Sequence, residues 1–253
     1  MILRYDGTFE GFLTAVYYVY EQQMDLVDIQ KETINSVPLF DALQTVVTDT
    51  TKSDRVWNGI FKIGSKRLQN YLLKVFLSEL PQAERCMLHL IRKSFTSRKS
   101  MHTDYADPGI LEVSKIVKQV DREKHRMEAF VRFRLLQDGT YVAQVSPDFD
   151  VLPLISRHFK NRYADQRWMI YDMNRNYGIY YDLHKVNTIS IALATMGDLT
   201  KSILAKIPTE EHNFESLWKD YFRSTTIKSR KNTQLHLRHV PKRYWKYLSE
   251  KQN

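Results

Sequence analysis

The chain has 253 residues, 43% of them hydrophobic, and a formal net charge of +9. That length and apolar content fit one large or two modest domains with a buried core and exclude a disordered chain. Cys86 is the single cysteine, which excludes an internal disulfide framework and any Cys-rich zinc or iron–sulfur site, and no apolar run approaches the ~20 residues of a membrane span.

Ile2–Tyr5 reads as a short edge strand, and its start has neither the charged region nor the apolar core of a signal peptide, so the expected compartment is the cytoplasm. Asp6-Gly7 breaks the strand, and Thr8 is placed to cap a helix in which Phe9, Phe12, Leu13, Val16, Tyr17 and Tyr20 form a core-facing stripe. Val46-Val47 suggests a strand. Ser53 can cap a helix with Val56, Trp57, Ile60 and Phe61 inward. Gly64 ends that helix and Ser65 starts another, with Leu68, Tyr71, Leu72, Val75 and Phe76 inward. The turn FKIGSK (Phe61–Lys66) resembles the glycine turn of a helix–hairpin–helix DNA element, although a glycine between helices is more often a plain C-cap. A further helix spans Gln82–Phe95. The polar stretch Ser94–Pro108 is the candidate boundary between a mainly helical region, 1–98, and an α+β module, 99–253. Asp107 then caps a helix with Pro108 at its first position.

Phe130–Leu136 alternates, with Val131, Phe133 and Leu135 on one side and Arg132 and Arg134 on the other, as in a half-buried strand. Asp138-Gly139 suits a two-residue type I′ turn into Tyr141–Val145. A helix follows over Val151–Tyr163, with Asp150 as its N-cap. Arg167–Asp172 and Tyr177–Asp182 form a second hairpin. Val186–Ala192 reads as another strand and Thr209–Phe222 as a helix, and Pro241 opens a last short helix. The expected fold is α+β: a helical N-terminal half, a small antiparallel sheet of two hairpins with a crossing helix, and a basic helical C-terminal tail.

Arg223–Asn253 holds nine Lys or Arg residues against Glu250 alone, a localised positive segment of the kind that binds phosphate backbones. Within it Arg230, Lys231, Lys242 and Arg243 are candidate phosphate ligands. Tyr244, Trp245 and Tyr247 offer rings either for base stacking or for anchoring the tail to the domain. His125 and Arg126, expected where helix meets strand, are candidates for proton transfer and phosphate binding. Arg126 and Arg132 can bind phosphate or pair with Asp165 and Asp172. Asp165 with Arg167 can activate water or form a plain ion pair. Of Tyr171, Tyr177, Tyr180 and Tyr181, alternation leaves two available for stacking, Tyr180 among them. Asp148, Asp150, Asp165, Asp172 and Asp182 can in principle gather around a divalent ion. P-loop, G-x-G-x-x-G, H-E-x-x-H and G-x-S-x-G patterns are all absent, and no bound cofactor or metal is expected.

The segments YDGTFEGFLTAVY (Tyr5–Tyr17), HRMEAFVRF (His125–Phe133), PDFDVLPLISRHFKNRYADQRWMIYD (Pro147–Asp172), YGIYYD (Tyr177–Asp182) and HVPKRYWKYLSE (His239–Glu250) together resemble a bacterial family described as DNA metabolism proteins. Its C-terminal domain is a domain of unknown function, number 4130. The resemblance covers essentially the whole chain. It implies a partner, a radical SAM protein assigned to DNA modification or repair, and relatives fused to uracil-DNA-glycosylase-like domains. With a single cysteine here, the iron–sulfur cluster would belong to the partner. The leading expectation is a DNA-binding accessory protein. A base-excision or nucleotide-processing enzyme using His125 and Asp165, and a scaffold that binds only its protein partner, are the alternatives.

Overall fold

The computed structural model describes residues 1–32, 42–190, 240–248 and 251. The expected helix at Thr209–Phe222, the end of the strand at Ile191-Ala192, and Arg230 and Lys231 lie outside them. The protein is α+β and divides into two compact units, Met1–Asp121 and Arg122–Asn253. Among the described residues no helix is long and apolar enough to cross a membrane.

The first unit is not wholly helical. Its strands β1 (Ile2–Tyr5), β2 (Asp28–Lys31) and β3 (Leu43–Thr45) form a parallel sheet in the order β2-β1-β3. β1 is therefore the central strand and not an edge. Ile2, Leu3 and Tyr5 are all buried, as expected of a strand covered on both faces. β2 and β3 are short and polar, so they carry no alternation to read. The expected strand at Val46-Val47 falls just past β3, with Val46 buried and Val47 exposed.

Helix α1 (Phe9–Glu21) is capped as expected, the Gly11 N–H donating to Thr8 Oγ1 at 3.0 Å. Its buried face runs through Phe12, Leu13, Val16 and Val19, while Tyr20 is exposed. Helix α2 (Thr50–Leu77) starts earlier than Ser53 because Asp49 is the stronger cap: its Oδ1 accepts from Thr51 N and Lys52 N. The element breaks at Ser65, whose φ of 56° and ψ of −171° are not helical. The break is a sharp fold. Gln69 Nε2 reaches the Trp57 carbonyl at 3.1 Å, whereas a straight helix would separate residues twelve apart by about 18 Å. Gly64 permits it, since a Cβ there would sit 2.4 Å from Leu68 Cβ. Phe9 packs against both arms, with ring centroids 5.2 Å from Trp57 and 5.0 Å from Phe76. Helix α3 (Ala83–Thr96) follows, then α4 (Pro108–Phe130), capped by Asp107 through the Ile110 N–H at 3.0 Å. The polar stretch between α3 and α4 lies within this first unit.

The strand expected over Phe130–Leu136 is mostly not formed. α4 runs through Phe130 and leaves only Arg134–Leu135 as β4. The end of α4 is rich in Glu, Lys, Arg and Met, which lose little on entering a helix, and Lys124 pairs with Glu128 one turn on at 2.8 Å. Arg132 then donates to the Ala129 carbonyl at 2.8 Å, satisfying an acceptor that the helix end leaves open.

In the second unit the sheet order is β4-β5-β6-β7-β8, with β5 (Tyr141–Val145), β6 (Trp168–Asp172), β7 (Tyr177–Tyr181) and β8 (Val186–Ser190). Both expected hairpins are present, but β5 and β6 run parallel and the sheet is mixed. The reason is the crossing helix α5 (Leu152–Arg162), which returns the chain to the starting end of β5, as a parallel connection requires. The first hairpin turns through three residues, not two. Leu136 N donates to Thr140 O, Gly139 N to Leu136 O, and only Gly139 takes positive φ, which is the type I turn with a glycine bulge. Trp168, Phe159, Phe133, Tyr163 and Tyr181 pack together between α5 and one sheet face.

Candidate nucleic-acid interface

The C-terminal segment is built onto the second unit by a buried carboxylate. Lys242–Tyr247 forms a 3-10 helix that begins after Pro241. With about three residues per turn, Tyr244 and Tyr247 fall on one side, and Leu248 follows at the end. Tyr244 and Leu248 are buried and Lys242, Arg243 and Lys246 exposed. The Tyr244 hydroxyl donates to Oε1 of Glu123, a residue only 1% exposed. The same carboxylate accepts from the Asp148 backbone N–H at 3.0 Å and pairs with Arg243 at 3.2 Å and Arg126 at 3.5 Å. A buried charge is tolerated when it is paired and hydrogen-bonded in this way. Burial and the bond to Glu123 push the Tyr244 hydroxyl well above its ordinary pKa. Ser146 and Tyr247 share a further hydroxyl–hydroxyl bond.

This arrangement decides how each candidate can act. Arg243 spends its guanidinium on Glu123, on Asp148 at 2.5 Å and on the Tyr244 oxygen at 2.6 Å. It is a strut between α4, the 146–151 loop and the tail. Arg126 serves Glu123, not Asp165 or Asp172. Arg132 caps α4. Trp245 is half-buried and donates from Nε1 to the Val240 carbonyl at 3.1 Å, with Lys251 over its ring, so it helps hold the segment. Lys242 and Lys246 keep their exposure.

His125 is not at a helix–strand junction. It lies inside α4 with a side chain 85% exposed, 3.9 Å from Glu128. Asp165 and Arg167 are exposed in the turn between α5 and β6. Among the described residues no hydrogen bond or ion pair joins these three. The five aspartates do not converge either. Asp148 pairs with Arg243, and Asp150 accepts from the Tyr177 hydroxyl. Asp172, fully buried at the end of β6, pairs with Arg175 at 2.8 Å. Asp182 accepts from the Lys185 and His184 N–H groups, which hold it at about 2, below the ordinary 3.8. Among the described residues no group of three or more His, Cys, Asp or Glu is placed to hold a metal. Tyr171 and Tyr181 are buried, whereas Tyr177 and Tyr180 are partly exposed.

The structure adds one basic element to those read from the sequence. Helix α5, LPLISRHFKNR, contains Arg157, His158, Lys160 and Arg162 and no acidic residue. Arg157 and Arg162 are exposed, while Lys160 is tied to the His184 carbonyl at 2.7 Å. The absence of acids from the stretch is the signal that marks it, and the stronger charge of the tail obscures it.

A family model described as a domain of unknown function, DUF4130, matches residues 81–250. The chain therefore belongs to the DUF4130 family. No curated protein and no solved structure matches it.

Proposed function

We propose that the chain is a DNA-binding accessory protein in DNA repair or modification that acts with a radical SAM enzyme. The observation that supports this best is the docking of the basic C-terminal segment. Tyr244 and Leu248 are anchored inward, and Lys242 and Lys246 stay exposed on a short helix that the Glu123 network fixes in place. Cations on a fixed element lose less freedom on meeting a phosphate than cations on a loose tail. The acid-free α5, with Arg157 and Arg162 exposed, adds a second positive element. Arg230 and Lys231 belong to the same proposal on charge alone. The radical SAM partner and the repair or modification context rest on the resemblance of the chain's motifs. The catalytic reading loses ground because no hydrogen bond or ion pair among the described residues joins His125, Asp165 and Arg167.

The test is fluorescence anisotropy of full-length protein with single- and double-stranded DNA across a salt series. Removing one phosphate-binding cation flattens the salt slope by about one, so K242A/K246A and R157A/R162A should each flatten it by about two. Absence of binding to either form at low salt would overturn the reading in favour of a protein-only scaffold.

A further inference from the structure

The fold in α2 opens a cavity of about 540 Å³ whose lining includes Phe61, Lys62, Ser65, Arg67, Ser100 and His102 and contains no acidic residue. Two segments build it: the turn between the arms of α2, and the stretch between α3 and α4. Lys62 and Arg67 are exposed, one on each arm. Asp121, a carboxylate whose charge is felt at the neighbouring Tyr71, is engaged by Lys74 at 2.6 Å.

His102 points to a ligand independently of the turn. The residue is 8% exposed, its Nδ1 lies 2.5 Å from Ser100 Oγ, and its ring stands edge-on to Tyr71. Nε2 has no hydrogen-bond partner among the described residues and is not sealed from solvent, and His102 is one of the residues that line the cavity. Burial first, and then the charge of Arg67, lower its pKa below 6.5, so the ring is neutral at neutral pH. In the tautomer in which the Ser100 hydroxyl donates to Nδ1, the proton resides on Nε2, which can then donate to a ligand.

Phe61 decides between phosphate sources. It is 47% exposed, although it stands beside two cations at the rim. An exposed flat ring next to a cationic cavity suits an unpaired base stacked beside its own phosphate. We propose that this cavity binds a phosphodiester of single-stranded nucleic acid, held by Lys62, Arg67 and His102 Nε2, with the adjacent base on Phe61. The first-turn N–H groups of the second arm add partial positive charge at the same place. This rests on the DNA-binding reading and assigns it a second binding point, in the first unit.

The test uses full-length protein, a twelve-nucleotide single strand, an abasic strand of equal length and inorganic phosphate. The ring resonances of His102 are followed by NMR and affinity by anisotropy. Both strands should shift His102. K62A/R67A should flatten the salt slope by about 1.4. Phe61→Ala should weaken the base-bearing strand at least about 5-fold and leave the abasic strand unchanged. Strands that bind without moving His102, and equally well to both variants, would overturn the site and leave the DNA-binding reading standing. A shift produced by inorganic phosphate but by neither strand would overturn the nucleic-acid assignment. Failure of the wild type to bind any strand at low salt would remove the DNA-binding reading and this site with it.

Discussion

The hydroxyl of Tyr244 is hydrogen-bonded to the buried carboxylate of Glu123, 121 positions earlier in the chain. That bond and the Arg243 ion pair tie the C-terminal helix to α4, and the Asp148 N–H converges on the same group. A hydrogen bond to a charged group contributes about 1.5–3 kcal/mol. Tyr244→Phe should therefore lower the urea-unfolding free energy by about 2 kcal/mol and make the C-terminal segment more accessible to protease. Glu123→Ala should cost more, because it strands several donors at once. A Tyr244→Phe protein as stable and as protease-resistant as the wild type would show that packing and the Arg243 and Tyr247 contacts hold the segment without this bond.

Asp49 caps α2 through two backbone N–H groups. Asp49→Ala should cost about 1 kcal/mol, while Asp49→Asn, which keeps an acceptor, should cost much less. Thermal unfolding of the two variants side by side separates the cap from a general charge effect.

Gly178 lies in β7 opposite Tyr171 of β6. A Cβ there would be 2.8 Å from the Ile170 carbonyl oxygen and 3.0 Å from the Tyr171 ring. Neither can retreat easily, one being ladder backbone and the other a buried ring. Gly178→Ala should destabilise the protein by about 1–3 kcal/mol, the usual cost of overpacking, measured by equilibrium denaturation.

His102 provides a pH signature. Its folded-state pKa is depressed below 6.5 by burial and then by Arg67. The unfolded chain therefore binds the proton more readily. The neutral ring's stability is present in full above about pH 6.5 and is lost as pH falls through the folded value. Between pH 7.5 and 5 the Tm of the wild type should drop further than that of His102→Gln. Parallel Tm profiles for the two proteins would show that His102 carries no such linkage. Asp107 acts in a lower pH window. Lys93, the Ile110 N–H and His89 hold it far below its ordinary value, so its contribution is present above about pH 4 and disappears in stronger acid.

Local chemistry makes much of this protein legible from residues alone. The Thr8 and Asp107 caps, the stop at Gly64-Ser65, the α3 span, the hairpin of Arg167–Asp172 with Tyr177–Asp182 and the short helix after Pro241 all depend on neighbours within a few positions, and such signals are written in sequence. Phe130–Leu136 reads as strand and folds mostly otherwise, because alternation in a short stretch competes with the helical preference of Glu123–Met127, and the helix continues. The parallel pairing of β5 with β6, the central position of β1 and the folding back of α2 depend on which distant segments meet. No local pattern encodes that. The same holds for the site residues. Sequence could mark Arg126, Arg132 and Arg243 as cations, but only the tertiary structure decided that each faces a carboxylate or a helix end. It also left Lys242, Lys246, Arg157 and Arg162 exposed. A charge's role depends on its partner, and the partner of Arg243 lies 120 residues away.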